Sequence, residues 1–329
     1  MPLFRRPGAR WGEFDLSADP ALDDDELADV RDATSRGDWL AARDLLGRTR
    51  RDWDRKAHRV AVLAEAAARQ MTWADKWVAA EPDNPDALTL RGHAEIIRSW
   101  RARQGEWDSA STDDEYWRFV RSVQDAEDLC RGAAELAPDD PTPWTSLLLL
   151  ARTQREPADE FWRRWRELRM RDRFHREGHH QALQYLSASW HGSHGQMFEF
   201  VYRVIDEAPA GSPLAVLPLH AHAEYYAYVT QGDEIARDDH ADHWGRPQIQ
   251  ADIDHALDSW LGSRAVPSAR ALVDRNYLAH ALVEAGRWRE AAPQFMAIGP
   301  YATEFPWGYT DDDAGAAFLE ARRMALRKG

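Results

Sequence analysis

From about residue 23 almost to the end of the chain, apolar residues return every three or four positions with polar residues between them. That period gathers them into one stripe of an α-helix. Trp73 with Trp77, and Trp162 with Trp165, are one turn apart and share a face. Ala, Leu, Arg and Glu dominate, Val and Ile are sparse, and no Asn-Gly or Asp-Gly turn joins two alternating segments, so strands are not expected. The pattern predicts helices over 23–36, 38–49, 53–68, 72–80, 85–103, 113–136, 141–153, 157–170, 177–189, 193–207, 213–230, 248–261, 268–285, 287–297 and 312–327. Residues 1–22 read as an N-terminal arm, 23–329 as one helical domain, and 231–247 and 299–310 as loops.

The breaks between helices repeat. "AAEPDNPDALTLRGHAEI" from 79, "ELAPDDPTPWTSLLLLAR" from 135 and "DEAPAGSPLAVLPLHAHAE" from 206 each end one helix at Ala-Pro or Glu-Pro, then place a cap before a proline. The caps are Asn84, Asp140 and Ser212, and the prolines are Pro85, Pro141 and Pro213. A cap oxygen accepts an orphan backbone N–H, and proline suits the first helical position because it has none to offer. Recurrence of one junction argues for stacked helical hairpins.

Two segments carry a further signature. In "NYLAHALVEAGRWREAAPQFMAI" at 276–298, Ala279 allows close approach, Leu282 packs, Gly286 turns the chain, and Trp288, Ala291 and Phe295 line the second helix. "LADVRDATSRGDWLAARDLLGRT" at 27–49 repeats the offsets with Gly37, Trp39, Ala42 and Leu46. These segments resemble tetratricopeptide (TPR) repeats. Between them the likeness is degenerate, with inserts such as 99–117. The resemblance implies an all-α fold, a right-handed array of antiparallel helical hairpins (an α-solenoid) with about 15 helices. It also implies a concave groove lined by the first helix of each hairpin and a protein or peptide bound there. On that pattern Asn276 and His280 line the groove in the last repeat, Thr89 and His93 in the one beginning at Pro85, and Thr145 and Arg152 in the next.

Charge narrows the partners. The net charge of −14 repels nucleic acid and favours a basic partner segment. "FWRRWRELRMRDRFHRE" at 161–177 reads as an amphipathic helix with a solvated Arg face. No apolar run is long enough to span a membrane and none follows the basic N-terminus as in a signal peptide. Cys130 stands alone, against a disulfide or a cysteine zinc site. A cytoplasmic protein without a cofactor is expected; nothing fixes its oligomeric state.

Three stretches hold candidate chemistry. Residues 175–198 contain five of the thirteen histidines, ending in "WHGSHGQMF" at 190–198. His175 with His179, and His191 with His194, have the spacing of paired metal ligands. Yet Ser193 and Gln196 fit a capping box, with Gly192 at the turn and Met197 and Phe198 opening a buried face. The W-x-G-S…M-F pattern is similar to a segment of a bacterial TPR-associated domain family that has no assigned function. "ARDDHADHWGRP" at 236–247 offers Asp238, Asp239, His240, Asp242 and His243 as ligands for a divalent ion, without any fixed metal-loop spacing. Of these, Asp239, His240 and His243 are the metal candidates. "LPLHAHAEYYAYV" at 217–229 places His222 one turn from Tyr225 and Tyr226, either on a concave surface or in aromatic packing.

No nucleophile elbow, phosphate loop or dinucleotide fingerprint is present. Two functions therefore stand open. One is a protein- or peptide-binding adaptor or scaffold. The alternative is a small-molecule-binding protein or enzyme whose His- and aromatic-lined pocket draws on 174–244, with or without a metal. Self-assembly through hairpin ends is a third.

Overall fold

The structure, a computed structural model, describes residues 16–106, 113–154, 157–230, 240, 242–309 and 313–329, the side chains of 104–106 and 113–116 excepted. Among the described residues it is all-helical, with fifteen α-helices and no strand. The chain divides into two compact units, one built on Asp23–Ala182 and the other on Leu183–Gly329 with the described N-terminal residues 16–22.

In the first unit, α1 (Asp25–Ser35), α2 (Trp39–Thr49) and α3 (Trp53–Arg69) each start at an aspartate. Asp24, Asp38 and Asp52 accept the N–H of Leu27, Ala41 and Arg55 at 3.0, 3.3 and 3.2 Å, satisfying donors that a helix start leaves open. After α4 (Thr72–Ala80), Asn84 caps α5 (Pro85–Glu106); after α6 (Asp113–Leu136), Asp140 caps α7 (Thr142–Gln154). The unit continues with α8 (Ala158–Arg171) and enters α9 (Arg176–Leu186). Consecutive helices pair, α1 with α2, α5 with α6 and α7 with α8. The odd-numbered helices also pack in succession, α1 on α3, α3 on α5 and α5 on α7.

Leu45, Leu63, Trp73, Trp77, Leu90, Leu147 and Phe161 fill the interior of this unit. Its buried cations are all paired, as burial requires. Lys56 Nζ lies 2.5 Å from Asp86 and 2.6 Å from Asp140. Burial alone would lower its pKa, but the two carboxylates outweigh that and raise it. Arg164, wholly buried, donates to the Leu147 carbonyl at 2.7 Å and to Glu127 and Glu160 at 3.0 Å.

The second unit holds α10 (His194–Glu207), α11 (Leu217–Thr230), α12 (Pro247–Ala256), α13 (Ala271–Glu284), α14 (Trp288–Ile298) and α15 (Ala314–Lys328). Helix α11 packs on α10, α12 and α13; α14 packs on α13 and α15. Trp244, Ile253, Trp260, Leu278, Leu282, Phe295, Trp307 and Phe318 form one core. The hairpin turns assigned to Gly37 and Gly286 are made at φ +91° and +70°, where a side chain would be strained.

Two predicted helices change helical type along their length, while 177–189 ends early at Leu186, 268–285 starts late at Ala271 and 85–103 runs on to Glu106. The segment 213–230 opens with a 3-10 turn, Pro213–Val216, before α11 starts at Leu217, because Pro218 has no N–H to bond four residues back. The segment 248–261 leaves the α-form after Ala256 and finishes as a π-turn, Leu257–Leu261. In the expected loops, short 3-10 turns form at His243–Gly245 and Trp307–Tyr309.

Candidate functional site

The corner at 190–198 is built around two small residues. A Cβ on Gly192 would sit at 2.1 Å from the Leu186 carbonyl oxygen, so only glycine lets the chain fold back on the end of α9. Ser193 Oγ accepts the Gln196 N–H at 3.3 Å and caps α10. Of the two residues expected to open a buried face, Met197 is buried and Phe198 only half-buried. The two histidines part company here. His191 packs on Tyr185 and Trp190, with ring centroids 4.9 and 6.3 Å away. His194 stands edge-on to Tyr225 at 4.8 Å and to Tyr228 at 4.9 Å.

Helix α11 is the centre of the second unit. Every residue from Leu217 to Glu224 is buried, including His220, His222 and Glu224. Ionisable groups in such a position need partners, and each has them on a different element. His220 Nε2 meets Asp274 of α13 at 3.0 Å, and its ring stacks on Tyr277 at 3.6 Å. On the same face one turn later, Glu224 accepts the hydroxyls of Tyr309 at 2.9 Å and Ser189 at 2.8 Å. Burial, with Tyr277 and Glu224 beside it, holds the Tyr309 phenol well above its ordinary pKa, so it stays a donor. On another face, His222 Nε2 meets Asp252 of α12 at 2.9 Å. Asp252 also accepts from Tyr202 at 2.9 Å and Gln248 at 3.2 Å. A carboxylate taking those bonds orients the imidazole through its Nε2–H.

Around His222 the rings close up. His243 lies 5.4 Å from it, 5.2 Å from Tyr225, 5.7 Å from Tyr226 and 5.3 Å from Trp244. Trp244 in turn lies 5.6 Å from His280, which packs on Trp307 at 5.2 Å. Neither ring nitrogen of His243 or His280 has a hydrogen-bond partner among the described residues. Burial, with His222 alongside, pushes His243 down to about 3; burial alone takes His280 to about 3. Both are neutral imidazoles at neutral pH.

The structure thus gathers His194, His222, Tyr226, His240 and His243 into one region of the second unit, His240 lying 6.3 Å from Tyr225, while His191 serves the corner. Asp239 lies outside the described residues. Among those described, no three His, Cys, Asp or Glu side chains are placed to hold a metal ion. Asn276 is buried and occupied: its Nδ2 donates to the Leu272 and Tyr301 carbonyls, and its Oδ1 accepts from the Thr303 N–H and the Trp307 indole. In the first unit, Thr89 and Thr145 are buried and bond back to the Pro85 and Pro141 carbonyls at 2.7 and 3.3 Å. His93 is buried against Ser146 Oγ at 2.9 Å and burial takes it to about 4. Arg152 is half-buried on α7.

Sequence reasoning missed Asp252, Asp274, Tyr277, Tyr309 and Trp307. The one signal that pointed toward them was H-x-H-x-E at 220–224 within an otherwise apolar helix: three ionisable residues with no polar face of their own imply partners from elsewhere.

No described helix is long and apolar enough to cross a membrane. No protein-family model matches the chain, and neither the curated proteins nor the solved structures contain one significantly similar to it.

Proposed function

We propose that the chain is a TPR-like, right-handed array of antiparallel helical hairpins that acts as a protein- or peptide-binding adaptor. The array is supported by the succession of odd-numbered helices in the first unit, the two-layer packing that such hairpins adopt. The inner helices offer little open surface, since α5 is buried from Ala87 to Ile96 except for the half-buried Arg91. The contact surface is therefore assigned to the rim where α10 meets α11. The carrying observation is His194, edge-on to Tyr225 and Tyr228, with Tyr228 49% exposed. Large aromatic groups held in place at the surface are typical interface anchors. Their ring faces attract cations, and a net charge of −14 reinforces the choice, so the partner is a basic segment rather than a nucleic acid or a membrane.

The test is a binding array of Lys/Arg-rich and Asp/Glu-rich peptides of matched length, probed with the full chain and with Tyr228→Ala and His194→Ala. Basic peptides should be retained, and each variant should weaken them up to about tenfold, the worth of a strong cation–π contact. Equal retention of acidic peptides, or variants that bind as well as the parent, would end this assignment.

A further inference from the structure

Helix α8 carries an exposed stripe that the rim does not use. Trp162, Arg166, Arg169 and Met170 follow at the spacing of one helical face. Trp162 is 37% exposed and Met170 71%. Arg166 is exposed, as is Arg173 just past the helix, and Arg169 is half-buried. The glutamates of the helix do not offset these charges. Glu160 is taken up by Arg131, Arg163 and Arg164, and Glu167 by Arg171. Tryptophan and methionine set among arginines are the composition of an interface rather than of a solvated face.

The first hairpin of the same unit carries its counterpart. Asp25, Asp29 and Asp32 of α1 are exposed and share one helical face. Asp32 also meets Arg31 at 2.9 Å, an exposed pair of little worth that a partner's arginine can replace. Leu40 on α2, 46% exposed, adds an apolar point to this hairpin. From 25 to 32 the acidic stripe runs about 10 Å, and from 162 to 170 the basic one runs about 12 Å, at some 1.5 Å per residue. Helix α1 packs chiefly on α2 and α3, and α8 chiefly on α7. Each lacks the outer neighbour that a helix inside a repeat array has.

Charge selects the occupant. A nucleic acid or an anionic bilayer extends far beyond the stripe and meets the rest of a chain whose net charge is −14. A second copy offers a stripe of the right sign and length, and charges farther off than about 8 Å are screened at physiological salt. We propose that the α8 stripe of one copy docks on the α1 stripe of the next, head to tail. The two faces differ, so the contact adds copies in a row or closes a ring instead of stopping at a symmetric pair. It is separate from the rim between α10 and α11.

Sedimentation velocity of the full chain at rising concentration tests this. The parent should pass from monomer through dimer to longer species, and Trp162→Ala should weaken association about thirtyfold, as loss of an interface anchor does. Arg166→Gln with Arg173→Gln, and Asp25→Asn with Asp29→Asn, should each give a monomer. Mixed in equal amounts, these two variants should form a dimer that grows no further, because each keeps one intact stripe. Tyr228→Ala at the rim should assemble like the parent. All these side chains are exposed, and circular dichroism checks that the variants fold; where a double variant does not, Arg166→Gln or Asp29→Asn alone takes its place. A parent or a mixture that stays monomeric, or variants that assemble alone, would overturn the proposal. So would binding of a DNA duplex or of phosphatidylserine vesicles that the α8 variants abolish, since the stripe would then belong to a polyanion.

Discussion

Acid should dismantle this protein through its neutral histidines, and the size of the effect follows from their burial. His280 is 1% exposed, and its pKa falls from 6.5 to about 3 on folding. The unfolded chain therefore takes up a proton below pH 6.5 that the folded chain refuses. Stability from this group is complete above the unfolded value and declines as the pH falls toward the folded one. At about pH 5 the loss relative to neutrality is about 2 kcal/mol, from some 1.4 kcal/mol per unit. His243 behaves alike, and His93, at about 4, adds a similar share in the first unit. The two histidines of the second unit together remove about 4 kcal/mol, close to the lower end of an ordinary domain's stability. The ion-paired carboxylates confuse little over this window, because Glu160, held by Arg163 and Arg164, sits at about 2 and Asp24 and Glu95 are also lowered. The assay is urea unfolding of the parent and His280→Leu at several values between about pH 5 and 7.5. The leucine removes the proton uptake of the unfolded state, so its stability should fall less steeply, by about 1.4 kcal/mol per unit below pH 6. Parallel pH slopes for the two proteins would refute the reasoning.

Three further outcomes are expected. Lys56→Met strands Asp86 and Asp140 in a buried pocket and should cost about 3–5 kcal/mol in denaturant unfolding, largely restored when both aspartates become asparagine. Gly192→Ala drives a Cβ into the Leu186 carbonyl; calorimetry should show a melting temperature several degrees lower, corresponding to about 1–3 kcal/mol. Asn276→Ala removes three hydrogen bonds that tie 301–307 to α13, so amide exchange in that segment should quicken selectively.

The sequence made the helices legible because their signals are local. Asn84, Asp140, Ser193 and Ser212 all act as the caps their spacing implies, since a cap and the N–H that donates to it lie within three residues. Gly37 and Gly286 take the positive φ that their turns need. The interior of the second unit was not legible for the opposite reason. His220 and Asp274 are 54 residues apart, and nothing near either names the other. Asn276 shows the limit at a single residue: helical spacing puts it on α13 and the repeat pattern puts it in a groove, but it is buried, and its bonds to Thr303 and Trp307 depend on a loop that periodicity does not describe. Likewise His222 drew notice through Tyr225 and Tyr226, whereas the bond that orients it comes from Asp252, 30 residues on.

The three partners of α11 also set an order of events during synthesis. In a strictly repeating array each helix is complete once its neighbours exist, so the chain can fold as it emerges. Helix α11 cannot. His222 waits 30 residues for Asp252, His220 waits 54 for Asp274, and Glu224 waits 85 for Tyr309. Until Tyr309 leaves the ribosome, the most buried helix of the second unit holds an unfinished set of polar contacts. Shortening the chain from its C-terminus would therefore not peel away hairpins one at a time; it would remove the second unit as a whole.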